Sequence, residues 1–399
     1  MADEREIELD VLRIAHGGVA VAELDGRVVF VADTLPGERV LARITDDRHD
    51  RFWRAETVRV LQASPDRVPH VWGAASLDRP IEQRAGGAEF GHIAPDRQRA
   101  LKAEVLRDAL GRIGRLSEEE VAALAPSVVA VPGAPDGTRS RTRVRLHVDR
   151  TGRVGPYAAR SKRVVPVADL PLAVEALERL LPQRARGREL DLVATASGAF
   201  AAGPRDGRPP VVERVGEREF RLEALGFWQV HPAAPAVLTA AVRAAADPAL
   251  LDPDADNLDL YGGVGLLAAA LADGRDLRIT TVESDGAASA HAAANLADLP
   301  RARAAMARVD AFLAAERVAR PGATVLLDPP RSGAGAEVVD AIVAARPAQV
   351  VYVACDPVAL ARDLGTFADR GWRAVTLAAF DLFPNTHHME AVVRLVPER

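Results

Sequence analysis

From about residue 221 the chain alternates short apolar runs with helix-like stretches, and this alternation limits the fold more than any other feature. Strands separated by helices have to lie mostly parallel, in a sheet covered on both faces. Asn257–Tyr261 reads as a buried strand, Gly262-Gly263-Val264-Gly265 as a turn, and Leu266–Ala272 as a helix. A second strand, Leu277–Val282, ends in Glu283. The first part of the chain has a different pattern. Residues 6–62 form short strands between turns, among them the hairpin signal Asp25-Gly26. That spacing predicts a small β-barrel of the oligonucleotide-binding kind. Three regions are therefore expected: a barrel at 1–62, a β-rich region at 63–220, and an α/β domain at 221–399. An amphipathic helix at 95–111 is expected to pack on the last of these.

Cys355 is the only cysteine, which excludes an internal disulfide and a thiolate metal cluster. With no apolar run near the roughly 20 residues that span a bilayer, a cytoplasmic protein without a membrane partner is expected. The net charge of -5 gives no global sign of a polyanionic partner, so local charge has to be read instead. Lysine is almost absent: Lys102 and Lys162 stand against a large excess of arginine.

Cys355 follows the apolar run Val350–Ala354 and precedes Asp356-Pro357. An isolated cysteine is commonly a small buried hydrophobe, but two neighbouring segments favour chemistry. Asp328-Pro329-Pro330-Arg331 leaves another apolar run, at the strand end where such sheets bind ligands. Phe383-Pro384-Asn385-Thr386-His387-His388-Met389-Glu390 precedes the last strand. A thiol, a carboxylate and an arginine can thus converge in one crevice. The glycine turn lets a ligand approach the backbone, or serves tight packing alone. Glu283, one strand further on, is suited to a ribose diol, which places Gly263, Gly265 and Glu283 around a nucleoside-bearing cofactor. Residue 268 is alanine, so the full dinucleotide fingerprint is lacking and S-adenosylmethionine is favoured over a hydride carrier.

Arg139, Arg141, Arg143 and Arg145 alternate with other residues, a spacing that puts all four on one face of a strand. Such a row repels itself unless an anion lies opposite; an RNA backbone is the reading taken, a solvated sheet edge the alternative. Arg150, Arg153, Arg160, Lys162 and Arg163 extend the charge. On the barrel, Arg48, Arg51, Phe52, Trp53 and Arg54 mix charge with stacking surface. The histidines His387 and His388, read as strand neighbours on opposite faces, are taken as loop packing or substrate contacts.

Five segments occur in order: Phe227-Trp228-Gln229-Val230-His231, Asp259–Gly265, Asp328–Gly333, Ala354-Cys355-Asp356 and Phe383–Glu390. Together they resemble the RNA uridine-5-methyltransferase family, which makes 5-methyluridine in tRNA and rRNA. Gly17-Gly18, Phe30-Val31 and Leu35–Glu38 are similar to a TRAM domain. The resemblance implies a class I, Rossmann-like methyltransferase domain behind the barrel and the β-rich region. It implies Cys355 as nucleophile and Glu390 as base, and S-adenosylmethionine against Gln229, Tyr261, Glu283, Asp310 and Asp328. Arg331 is expected to anchor RNA or to favour the thiolate. The barrel tips the expected substrate toward 23S rRNA and away from the tRNA T-loop. A cytosine-5 enzyme would need a second cysteine, and a silent RNA-binding factor would not need Cys355 and Glu390.

Several positions depart from the family pattern. Ala85-Gly86-Gly87-Ala88 stands where many relatives hold a four-iron–four-sulfur cluster with cysteines, so no such cluster is expected. Phe90-Gly91-His92-Ile93, Gln98 and Lys102 still match. Asn385 stands for a more usual glutamine, His231 for an asparagine, Gly262 for a cysteine and Ala354 for a serine; Leu266 stands where some relatives place an asparagine on the cofactor.

Overall fold

The computed structural model describes residues 6–159, 161–203, 207, 209–316 and 321–398; Arg160 lies outside them. Strands β1 (Glu6–Ala15), β2 (Val19–Leu24), β3 (Arg27–Ala32), β4 (Arg39–Asp46) and β5 (Phe52–Gln62) close a barrel in the order β1-β2-β3-β5-β4. Asp25 and Gly26 turn β2 into β3 with φ of 49° and 76°, the left-handed pair that a two-residue hairpin requires.

Next come α1 (Pro95–Arg112), α2 (Glu118–Leu124) and β6 (Val128–Val129). A four-stranded sheet comes after them, with β7 (Arg143–Val148), β8 (Val154–Gly155), β9 (Glu189–Thr195) and β10 (Gly198–Ala202) in the order β10-β9-β7-β8, and α3 (Glu175–Glu178) beside it. The hairpin β11 (Pro210–Val215) and β12 (Arg218–Glu223) leads into α4 (Ala234–Ala245).

The remainder alternates as its pattern predicts: β13 (Asn257–Leu260), α5 (Leu266–Ala272), β14 (Ile279–Glu283), α6 (Gly286–Asn295), β15 (Ala302–Met306), α7 (Val309–Glu316), β16 (Thr324–Leu327), α8 (Ala336–Ala345), β17 (Gln349–Ala354), α9 (Pro357–Ala368), β18 (Trp372–Phe380) and β19 (Glu390–Pro397). They form an eight-stranded sheet in the order β15-β14-β13-β16-β17-β19-β18-β6. The central strands are parallel, and β19 runs antiparallel between β17 and β18.

Every residue of β17 is buried because both faces of the sheet are covered. Val350, Tyr352 and Ala354 point into a core shared with α1, α8 and α9, whereas Val351 and Val353 join α4 and α5 on the other face. Helix α1 thus packs on the α/β layer, with Leu106, Leu110, Leu360 and Leu364 in one core. Close approach is possible because a Cβ on Gly365 would lie 2.8 Å from the Gly114 carbonyl. β6 adds the outermost strand, parallel to β18. The order in which strands are added to the sheet reverses between β13 and β16, and the crevice beyond their carboxyl ends is where ligands bind in such sheets.

The arginine row is not one strand face. β7 begins only at Arg143, and Arg139 has a left-handed φ of 56°. Each side chain finds a partner remote in sequence, which removes the repulsion the local pattern suggested. Arg139 pairs with Glu178 at 2.5 Å, and Arg141 donates to the Gly87 carbonyl at 2.5 Å. Arg143 donates to the carbonyls of Ala224 and Gly226 at 2.9 and 3.0 Å. Arg145 grips Asp191, its register partner on β9, at 2.8 and 3.1 Å.

Candidate active site

The register of β17 and β19 builds the centre. Ala354 pairs with Ala391 in an antiparallel ladder, so the next positions outward, Cys355 and Glu390, are neighbours at the carboxyl end of β17. In the parallel ladders beside them, Leu327 pairs with Tyr352 and Leu260 with Leu327. Asp328 and Tyr261 therefore leave the sheet at the same edge as Cys355, and Asp328 N–H donates to the Leu260 carbonyl at 3.2 Å.

Three acids crowd this edge. Burial, then the Glu390 and Asp328 carboxyls, push the partly exposed Cys355 thiol up to about 12. Burial, then Asp328, raises Glu390 well above the carboxylate range, and burial with Asp259 raises Asp328. Arg331, exposed at the rim, opposes the rise at Cys355 and at Glu390. The loop that carries it is pinned behind: Asp363 accepts from Ala334 N–H at 2.7 Å and from the Tyr352 hydroxyl at 2.7 Å.

Gly263 has a φ of 54°, and a Cβ there would touch nothing within 4 Å, so its outer side is open to a ligand. Its N–H donates to Glu283 Oε2 at 3.1 Å, and that oxygen keeps lone-pair capacity for a ribose hydroxyl. Gly265, with a φ of 88°, starts α5, and Leu266 is buried behind it. Asp310 lies in the first turn of α7, at the carboxyl side of β15, where Arg308 holds its carboxylate at 2.7 Å. Gly262 has no room for a side chain: a Cβ would lie 1.9 Å from Thr281 Oγ1, which bonds Asp259 Oδ2 at 3.0 Å. Thr281 thus fills the space that a cysteine at 262 would need.

Gln229 and His231 lie on a segment held by the β-rich region. Thr142 donates to the Val230 carbonyl through its N–H at 2.9 Å and its hydroxyl at 2.7 Å. Arg143 holds Ala224 and Gly226 just before it. His231 is buried, and its Nδ1 accepts from Ala233 N–H at 3.1 Å.

The Phe383–Glu390 loop is clamped from α1, a role the sequence reading did not assign. Gln98 Nε2 donates to Asn385 Oδ1 at 3.0 Å, and Gln98 Oε1 accepts the Asn385 N–H at 2.8 Å. Asn385 is fully buried with a φ of 63°, a conformation asparagine tolerates well. One helical turn further, Lys102 Nζ donates to Asp381 Oδ1 at 2.5 Å and to the Phe383 carbonyl at 3.1 Å. The signal for Lys102 was that it is one of only two lysines in a chain that otherwise uses arginine: a compact ammonium fits where a guanidinium fork does not.

His387 and His388 lie in the loop before β19, not on opposite strand faces; their ring centroids are 3.9 Å apart. His387 also approaches Glu89 at 3.9 Å. Burial opposes charge on Glu89, but His387 and Arg141 hold its carboxyl down to about 2. Ala85 and Ala88 are buried in an apolar core with Trp72 and Leu146. The Ala85–Ala88 loop is therefore packed with methyl groups and pinned by Arg141. Replacing Arg141 with methionine is accordingly expected to cost about 1–3 kcal/mol of stability, by stranding the Gly87 carbonyl. Arg145→Ala, at a largely exposed side chain, should leave the melting temperature nearly unchanged. Thermal melts of the two variants check this.

A family model described as tRNA (Uracil-5-)-methyltransferase matches residues 235–397. An uncharacterized RNA methyltransferase of Streptomyces coelicolor is 37% identical, over 98% of this chain and 93% of its own. The 23S rRNA (uracil(1939)-C(5))-methyltransferase RlmD of Pseudomonas fluorescens is 31% identical, over 96% of this chain and 92% of its own. Among solved structures, the Pyrococcus abyssi tRNA (uracil-54, C5)-methyltransferase in complex with S-adenosyl-L-homocysteine has the same fold, with a TM-score of 0.68 at 20% identity, covering 97% of this chain and 99% of that one. A relative this similar over nearly the whole length, together with the matching family model, places the chain in the RNA (uracil-5-)-methyltransferase family, whose activity depends on S-adenosylmethionine.

Proposed function

We propose that this enzyme forms 5-methyluridine in 23S rRNA, with Cys355 as nucleophile and Glu390 as base. The observation that supports the mechanism is the register that brings these two residues to neighbouring positions at one strand end. Support for the substrate comes from the relative named RlmD, which matches over nearly the full length.

Uracil C5 is a weak nucleophile. Addition of the Cys355 thiolate to C6 forms an S–C6 bond and moves the C5–C6 π electrons toward C5 and the O4 carbonyl. S-adenosylmethionine supplies the methyl group that C5 takes up. Glu390, as carboxylate, then accepts the C5 proton, and the electrons of that C–H bond rebuild the double bond as the thiolate leaves. Gln229, Tyr261, Gly263, Gly265, Glu283, Asp310 and Asp328 are the residues proposed to hold the cofactor. The uridine must be unpaired or flipped for C6 to reach the thiol. Arg331 at the rim and the exposed side chains of Arg139 and Arg145 are proposed RNA contacts; Arg141 and Arg143 act on the fold around the site.

The test is nucleoside mass spectrometry after the protein acts on unmodified 23S rRNA and tRNA transcripts in separate reactions. New 5-methyluridine in the rRNA alone is the expected result. Its appearance only in tRNA would overturn the substrate, and a methylated cytidine would overturn the reaction.

A further inference from the structure

The barrel touches the reaction centre at one turn. His16, in the β1–β2 turn, lies 2.8 Å from Asp356 Oδ2 through its Nε2. Asp356 immediately follows Cys355 and uses its other oxygen to cap α9, accepting from Val358 N–H at 3.0 Å and Ala359 N–H at 2.8 Å. Two residues along the same turn, Gly18 has a φ of 74°, and a Cβ there would lie 3.0 Å from His387 Cβ. The turn therefore seats on the segment after the proposed nucleophile and on the loop before the proposed base. An apolar contact anchors it, since Ile14 and Leu35 of the barrel side pack with Phe90, Ile93 and Leu101.

Cys355 lies one residue beyond the last paired position of β17, so the ladder does not by itself fix its direction. Its neighbour Asp356 is held at both carboxylate oxygens, one by the α9 cap and the other by His16. We propose that His16 is a positioning residue for the methyl-transfer reaction: the barrel, through the His16–Asp356 contact, sets the direction of the Cys355 thiol toward the target base. This rests on the reading of Cys355 as nucleophile.

Because Cys355 is the only thiol, its alkylation by iodoacetamide reports on its setting without RNA or turnover. The test compares the full-length protein with His16→Ala, His16→Gln, Asp356→Asn and the double variant His16→Ala/Asp356→Asn. The glutamine amide can donate as Nε2 does, and Asp356→Asn keeps an oxygen for the α9 cap. His16→Ala is expected to change the alkylation rate and to lower kcat about tenfold, the worth of one charge-assisted hydrogen bond, with RNA Kd unchanged. His16→Gln should recover most of kcat, and the double variant should be no slower than the slower single one. An unchanged alkylation rate and kcat would overturn the proposal. So would a loss confined to RNA affinity, which would make the turn a simple RNA contact, or additive losses in the double variant. Methylation by Cys355→Ala would sink the nucleophile assignment instead, and it would do so without touching the alkylation comparison.

Discussion

Cys355→Ala is expected to make no 5-methyluridine, and Glu390→Gln is expected to accumulate protein joined covalently to RNA. The two outcomes differ because the proposed roles lie at opposite ends of the same adduct. Without the thiol, C5 never becomes nucleophilic, and the variant should bind cofactor and RNA yet leave both unchanged. Without the carboxylate, addition and methyl uptake can proceed, but the C5 proton has no acceptor and the S–C6 bond cannot be expelled. Turnover should fall by roughly 10²–10⁴-fold, the usual worth of a positioned base, while a band resistant to denaturing electrophoresis grows with time. Equal, complete loss in both variants with no adduct would point away from Glu390 as the base.

The electrostatics of the centre add a pH signature to the same experiment. Burial, Glu390 and Asp328 push the Cys355 thiol up to about 12, so the free enzyme holds a thiol, not a thiolate, at neutral pH. Its alkylation should therefore be slow near pH 7 and still be rising at pH 10, beyond the point where an ordinary cysteine has levelled off. A sulfonium charge beside this acidic edge favours the ionised forms of its acids. S-adenosylmethionine should thus quicken alkylation more than the uncharged S-adenosyl-L-homocysteine does. An alkylation rate already flat at pH 8 would contradict the crowding of acids around the thiol.

What could be read from the sequence was whatever is written in local order. The alternation after residue 221, the glycine turn, and the strand ends at Asp328 and Cys355 all depend on neighbours a few residues apart, and each stands where its pattern put it. The barrel was equally legible, because its hairpin turn and strand lengths are local. Partners remote in the chain were not. Nothing near Arg141 announces the Gly87 carbonyl, and nothing near His16 announces Asp356, which lies 340 residues away. Four alternating arginines looked like one charged face because acids that answer them, such as Glu178 and Asp191, belong to other segments. Two-residue β6 carries too little pattern to be seen as a strand, yet it completes the edge of the main sheet. The histidine pair was misplaced for a related reason: β19 starts only at Glu390, so a strand alternation does not apply to residues 387 and 388.

Lys102→Ala is expected to be the most destabilising single change among the polar residues around the site. Both partners are out of solvent, with side-chain exposures of 0% for Lys102 and 5% for Asp381. Burial pulls the ammonium pKa down, and the Asp381 carboxylate works against that pull. Truncation would leave the Asp381 carboxylate without its donor and remove the lysine's bond to the Phe383 carbonyl, which Thr386 still engages, a loss of about 3–5 kcal/mol for a broken buried pair. In a chain of this size that corresponds to a melting temperature lower by about 4–6 °C. The damage should also reach catalysis, because Asp381 and Phe383 lead directly into the loop that ends in Glu390. Removing both charges separates the two effects. Lys102→Met combined with Asp381→Leu should recover most of the stability, since a buried pair replaced by apolar side chains of similar size is often neutral. It should not recover kcat in full, because the hydrogen bond to the Phe383 carbonyl is still missing. If the double variant instead regains full activity, the lysine serves folding alone, and Gln98 with Asn385 suffices to place the base.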